Sequence, residues 1–229
     1  MEKKNILESN KIYPIQLKTF FSMILLYTFY FIVNYNLGPS SKLIQEELQI
    51  TSSKFGIIFT AFTLTFALGQ FLSGFLSDRY SAKKVMLIGA YGAILANLCF
   101  SISDSFFLFI IFWGFNGLFL SLGWSPGCSI LYNWFPKSQQ GFFMGVYNAF
   151  SFLGGVIVYP LSGFIIPAFG WRLAFIIPPI ILLLWSFEFI MVVKDTPSQA
   201  GYKTDWYEDN LITSKIKIDE YLKFSLIHS

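Results

Sequence analysis

Gly74-Phe75-Leu76-Ser77-Asp78-Arg79-Tyr80-Ser81-Ala82-Lys83-Lys84 interrupts an otherwise apolar chain. Asp78, Arg79, Lys83 and Lys84 crowd into this short stretch, although charged residues make up only 13% of the protein. An apolar run lies on each side, about Ser53–Ser77 before it and Val85–Ser103 after it. A helix needs about 20 apolar residues to cross the roughly 30 Å hydrocarbon core of a bilayer. Both neighbours meet that length, so the charged stretch reads as a short loop between two membrane helices.

Four further runs meet the same test. They are Thr19–Leu37, about Ser105–Phe135, about Gly141–Pro167, and Trp171–Val193. None alternates with period two, which disfavours a membrane β-barrel. The first run is followed by no small-x-small cleavage site and reads as a retained helix, not a signal peptide. The expected architecture is therefore an all-α polytopic membrane protein with six transmembrane helices over residues 19–193. Residues 1–18 form a cytoplasmic N-terminal tail. Residues 194–229 form a polar cytoplasmic linker segment with a short helix near Lys215–Ile227 and no seventh span.

Composition excludes other classes. Hydrophobic residues reach 55% of the 229, with a net charge of only +3. That profile excludes a disordered chain, a nucleic-acid module and an ordinary cytosolic enzyme. The single histidine, His228, lies at the C-terminus, so no histidine-based metal or catalytic centre is expected. Cys99 and Cys128 sit in apolar runs and read as buried thiols, not a disulfide framework. No GxxxxGK[ST] run is present, so ATP-driven transport and a nucleotide cofactor are not expected. No nucleophile–base pair is visible, so the chain is not read as an enzyme.

Lys and Arg placement sets the orientation. Lys3, Lys4, Lys11, Lys18, Arg79, Lys83, Lys84 and Lys137 fall on one side, against Lys42, Lys54 and Arg172 on the other. Both termini are expected in the cytoplasm, with the protein in the cell (plasma or inner) membrane.

The helices carry few polar groups. Glu188 is the one carboxylate inside an expected span. It reads either as a paired or snorkelling carboxylate near the helix end or as a proton-coupling group. Tyr27, Tyr30 and Asn34 share one helix face, as do Asn148 and Ser151, and Gln70 stands alone in the second helix. Each could serve helix–helix hydrogen bonding; together they could line a polar cavity. Gly123–Gly127 and Gly141–Gly145 have the GxxxG spacing of close helix packing.

The charged loop resembles the GxLaDrxGrk signature of the major facilitator superfamily, with Ser81 where that family usually has Gly. Gly123-Trp124-Ser125-Pro126, Trp134-Phe135-Pro136, Gln140-Gly141, Gly170-Trp171-Arg172 and Asp195-Thr196-Pro197 narrow the likeness. They resemble the organophosphate:phosphate antiporter and sugar-phosphate permease group. The likeness runs from about Lys18 to Gly201 and matches the N-terminal six-helix half of a family member. It implies a secondary transporter that moves a small organic solute by alternating access. Gly74, Asp78, Arg79, Lys83 and Lys84 would form the cytoplasmic latch between two halves. Tyr27, Asn34, Gln70, Asn148 and Ser151 would line the substrate cavity. Family members that carry phosphate esters have Arg at the position of Asn34, Lys at that of Gln70 and His at that of Ser151. Neutral groups at all three favour a monocarboxylate, another small organic anion or a polar neutral metabolite. The expected partners are that solute, the lipid bilayer and a second six-helix half, with no nucleic acid. That half could come from a split gene, be lost from a remnant, or be replaced by a second copy. The alternative class is a non-transporting membrane sensor or an inactive truncated transporter.

Overall fold

A computed structural model describes residues 2–202, 204, 206 and 207. The segment Lys215–Ile227 lies outside them. The described residues form helices α1 (Glu2–Tyr35), α2 (Leu37–Leu48), α3 (Ser52–Arg79), α4 (Ala82–Ser101), α5 (Phe106–Leu120), α6 (Trp124–Trp134), α7 (Lys137–Phe169) and α8 (Ile177–Val192). A 3-10 turn, Trp171–Phe175, precedes α8. Six stretches are long and apolar enough to cross a membrane: Ile12–Leu48, Ser52–Arg79, Ala82–Ser101, Phe106–Trp134, Lys137–Phe169 and Trp171–Val192. Each coincides with one of the six expected runs. The first is longer than expected at both ends, because α1 begins at Glu2 and α2 continues beyond Leu37.

Local chemistry sets the boundaries. Thr51 caps α3 by accepting the Lys54 N–H at 3.4 Å. Ser81 caps α4 in the same way, accepting from Lys84 N–H at 3.3 Å. Gly170, at φ +83°, ends α7 in a conformation that only glycine adopts cheaply. The fourth span is not one rod. It breaks at residues 121–123, between α5 and α6. Pro126 has no N–H for a carbonyl one turn earlier, and proline is the commonest cause of such a kink.

Lipid tails are as apolar as leucine, so packing and polar ties must hold membrane helices together. The main contacts run between α3 and α5, α1 and α7, α4 and α5, and α1 and α8. Glycine permits the closest of them. A Cβ on Gly117 would sit 2.4 Å from the Phe62 backbone oxygen. The expected buried thiols are in fact half-buried and free. A three-amide chain crosses the bundle interior. Asn36 Nδ2 donates to Asn97 Oδ1 at 3.0 Å, and Asn97 Nδ2 donates to Asn116 Oδ1 at 3.1 Å. All three residues are fully buried.

Two apolar cores flank this chain of amides. One gathers Met23, Ile24, Tyr27 and Tyr30 with Met86, Ala90 and Leu182. The other is aromatic, with Phe100 at 4.4 Å from Phe109 and 4.6 Å from Phe175.

Candidate functional site

Helix α6 contacts α3, α7 and α1, and α7 packs on α1. On α3, Thr60, Thr63, Gln70, Gly74 and Ser77 recur at helical spacing. Ser77 Oγ lies 3.2 Å from Ser125 Oγ, which sets this stripe beside α6. On α7, Gly141, Gly145, Asn148, Phe152 and Gly155 form a second stripe. A Cβ on Gly155 would lie 3.3 Å from the Tyr35 ring, which sets that stripe beside α1. Between them lie Asn34 and Tyr35 of α1, and Trp124 and Cys128 of α6, all half-exposed.

The five expected cavity residues divide in two. Tyr27 is buried, and its ring stacks on Tyr147 at 4.2 Å and 19°. Tyr147 Oη donates to the Gly123 carbonyl at 3.0 Å, beside the α5–α6 break. A Cβ on Gly127 would meet Tyr147 Oη at 2.2 Å, so the first GxxxG pair does serve packing. Ser151 is also buried, and its hydroxyl donates to the Asn148 carbonyl at 2.6 Å. Both residues therefore belong to the wall. The other three keep free amides: Asn34 and Gln70 are half-exposed, Asn148 is exposed, and none has a side-chain partner among the described residues. The second GxxxG pair differs from expectation. A Cβ on Gly141 or Gly145 would meet nothing within 4 Å, so this small-residue stripe is open.

Sequence reasoning missed Thr60, Thr63 and Trp124 on this surface. The threonines follow Gln70's own helical spacing, which is the signal that could have found them. Their hydroxyls donate to Gly56 and Phe59 carbonyls on their own helix at 3.0 and 2.9 Å. Lys54, Arg79, Lys83, Lys84, Lys137, Arg172 and Lys194 sit at or just beyond helix ends, Lys42 is in the short helix α2, and Lys18 lies in α1 sixteen positions before Asn34. The surface between them offers amides, an indole ring and a thiol, so it can donate and accept hydrogen bonds but brings no positive charge.

At the loop, Gly74 is half-buried while Asp78 and Arg79 are exposed. No ion pair joins these two among the described residues, because adjacent helix positions do not face each other. Arg79 instead lies over the Phe75 ring, 4.2 Å from its centroid. Lys83 is half-buried, and its ammonium donates to the Ile190 carbonyl on α8. Lys84 is exposed.

Glu188 has a partner: Ser22 Oγ donates to its Oε2 at 2.5 Å, and Trp185 Nε1 donates to the Ser22 carbonyl at 3.3 Å. Ser22 lies about 140° around α1 from Tyr27, at about 100° per residue. The carboxylate thus belongs to the α1–α8 contact and not to the polar face. At the opposite end of the bundle from the loop, Arg172 pairs with Glu47 at 2.7 Å and with Asp104. Trp171 Nε1 donates to the same Glu47 carboxylate at 2.6 Å. No cluster of metal-ligating side chains occurs among the described residues.

Known proteins resemble this chain in sequence and in fold. The family model described as Major Facilitator Superfamily matches residues 23–222. A probable hexose phosphate transport protein of Chlamydia trachomatis is 31% identical over 186 residues, covering 81% of this chain and 41% of that protein. A hexuronate transporter of Bacillus subtilis is 29% identical over 168 residues, covering 72% and 39%. The chain thus spans about two fifths of these relatives' length. Among solved structures, an inward-facing bacterial homologue of the human lysosomal transporter Spinster superposes with a TM-score of 0.72 at 16% identity. That match covers 81% of this chain and 44% of the other, and it speaks for the fold alone. Six membrane-length helices, the loop motif and the match over residues 23–222 converge: the chain belongs to the Major Facilitator Superfamily.

Proposed function

We propose that this chain is one six-helix half of a secondary transporter for a small organic solute, most simply an organic anion. A second six-helix half would complete the cavity, and alternating access would come from rocking one half against the other. The observation that carries the reading is the set of amides with no side-chain partner among the described residues, half-exposed Asn34 and Gln70 and exposed Asn148, on membrane helices grouped around α6. An amide in a membrane helix is costly unless it meets water, solute or another polar group. The hexose phosphate and hexuronate names of the relatives support an anionic solute.

The absence of a cation on this face limits the charge it can hold. A phosphate dianion in a low-dielectric cavity needs paired positive charge. This half offers only neutral donors, so it suits a monocarboxylate, with any remaining charge met by the second half. Glu188 is assigned to tying α8 to α1, since its carboxylate is engaged by Ser22 on the back of α1. The excess of Lys and Arg at the loop end supports a cytoplasmic side for that end and for both termini, with the chain in a plasma or inner membrane.

The test is competition for uptake into vesicles carrying the assembled transporter, with glucuronate and glucose 6-phosphate as probes. Wild type favours the uronate. Asn34→Arg combined with Gln70→Lys shifts preference toward the phosphate ester by tenfold or more, because a charge-assisted bond contributes about 1.5–3 kcal/mol. An unchanged preference contradicts the assignment of these two positions to the cavity. Specific binding with no uptake would favour a sensor.

A further inference from the structure

The loop departs from the family signature at Ser81, and there the rest of the fold grips it. Ser81 Oγ accepts from Lys84 N–H at 3.3 Å and donates to Asp195 Oδ2 at 2.5 Å. The other carboxylate oxygen, Oδ1, accepts the Lys83 N–H at 2.7 Å. Asp195 therefore acts as a second N-cap for α4, supplied from just beyond the end of α8. Its charge also suits the positive end of the helix dipole. A glycine at position 81 would offer no hydroxyl to either partner.

Asp195 is itself held in place. Its carbonyl accepts from Asn133 Nδ2 of α6 at 3.2 Å, and its N–H donates to Gln199 Oε1 at 3.2 Å. Next to it, the Lys194 carbonyl accepts from Trp134 Nε1 at 2.7 Å. Lys83 reaches back to Ile190 on α8. The ends of α4, α6 and α8 thus meet at Asp195, α4 through its carboxylate and α6 through its backbone carbonyl.

We infer that Asp195 is a positioning residue for the latch: through Ser81 and the first turn of α4, it fixes the loop 78–84 against the ends of α6 and α8. The inference rests on the reading of that loop as a latch. Among the described residues Asp78 and Arg79 have no ion-pair partner of their own, so their presentation depends on the backbone that Asp195 anchors. The loop cannot shift relative to α8 without breaking two hydrogen bonds to a charged acceptor, each among the stronger kind.

The test uses the full chain in lipid nanodiscs and needs no transport. Hydrogen exchange is followed over residues 82–85 and over 171–175 at the opposite end. Asp195→Ala speeds exchange at the Lys83 amide about tenfold or more, the effect of losing a charge-assisted bond. Exchange over 171–175 stays at the wild-type rate. Asp195→Asn, which keeps an acceptor oxygen, gives a smaller rise. A second readout separates positioning from bulk stability. In a Cys99→Ser, Cys128→Ser background, maleimide labelling of Tyr80→Cys speeds up in Asp195→Asn even where its melting temperature is unchanged. Ser81→Ala serves the same test if Asp195→Ala does not fold, with a smaller rise in the same segment. Wild-type exchange and wild-type labelling in the folded variants would overturn the inference. A separate flux assay on Asp78→Asn judges the latch reading, so the two can fail independently.

Discussion

Gly117→Ala lowers the stability of the bundle by about 2 kcal/mol, whereas Gly141→Ala leaves it unchanged or slightly raised. The difference is in what each new methyl group meets. At Gly117 the Cβ would lie 2.4 Å from the Phe62 carbonyl oxygen and 2.6 Å from Thr65 Oγ1. The first of these is backbone and cannot rotate away. Thr65 is also engaged, donating to the Gly114 carbonyl at 2.6 Å. Overpacking of this kind costs about 1–3 kcal/mol, here at the upper end, offset by about 1 kcal/mol of better helix propensity. At Gly141 nothing lies within 4 Å, so only the propensity gain remains. Unfolding in mixed micelles under increasing denaturing detergent measures both. Equal losses at the two positions would mean that Gly141 is packed against something, contrary to its open face.

Asn97→Leu has a similar effect by a different route. It orphans the Asn116 oxygen and removes one of the two acceptors of Asn36 Nδ2, the other being the Ala174 carbonyl at 3.1 Å. An orphaned buried polar group costs about 1–3 kcal/mol. Interhelical hydrogen bonds in membranes average nearer 0.6 kcal/mol, so a loss of about 2 kcal/mol is expected. The sharper signature is non-additivity. Asn116→Leu added to Asn97→Leu costs less than the sum of the two single changes, because the second removes the orphan left by the first. Additive losses would show that the two amides do not act as one chain.

The six spans were legible because a bilayer imposes a length that sequence alone displays. Each apolar run became a membrane-length helical stretch, but the expected loop at Gly74–Lys84 shrank to Tyr80–Ser81, with Asp78 and Arg79 in the last turn of α3 and Lys83 and Lys84 in the first turn of α4. The break at residues 121–123 was less legible. Pro126 was visible, but the Tyr147 hydroxyl that bonds the Gly123 carbonyl at the break comes from another helix. Sequence reading left Gln70 alone on its helix and set Asn148 on one face with Ser151. It could not tell these amides from Tyr27 and Ser151, which packing buries. The grip of Asp195 on Ser81 and the bond from Ser22 to Glu188 join residues 114 and 166 positions apart. No local pattern encodes such pairs. The two GxxxG motifs look alike in sequence, and only the neighbours decide that one is closed and the other open.

In the proposed transporter the polar surface of Asn34, Gln70 and Asn148 meets water and solute, while the faces beside it meet lipid. Cysteine accessibility in the native membrane tests it most directly. Gln70→Cys and Asn148→Cys would be compared with Phe71→Cys and Phe164→Cys, in the background lacking Cys99 and Cys128. Phe71 and Phe164 are 82% and 73% exposed in the isolated chain, so simple exposure does not separate them from the amides. Phe71 is also the immediate neighbour of Gln70, about 100° around the same helix. A charged methanethiosulfonate reagent is predicted to modify positions 70 and 148 and to leave 71 and 164 unmodified. If positions 70 and 148 are as inert as 71 and 164, the polar face is no solute path and the transporter reading of this surface is wrong.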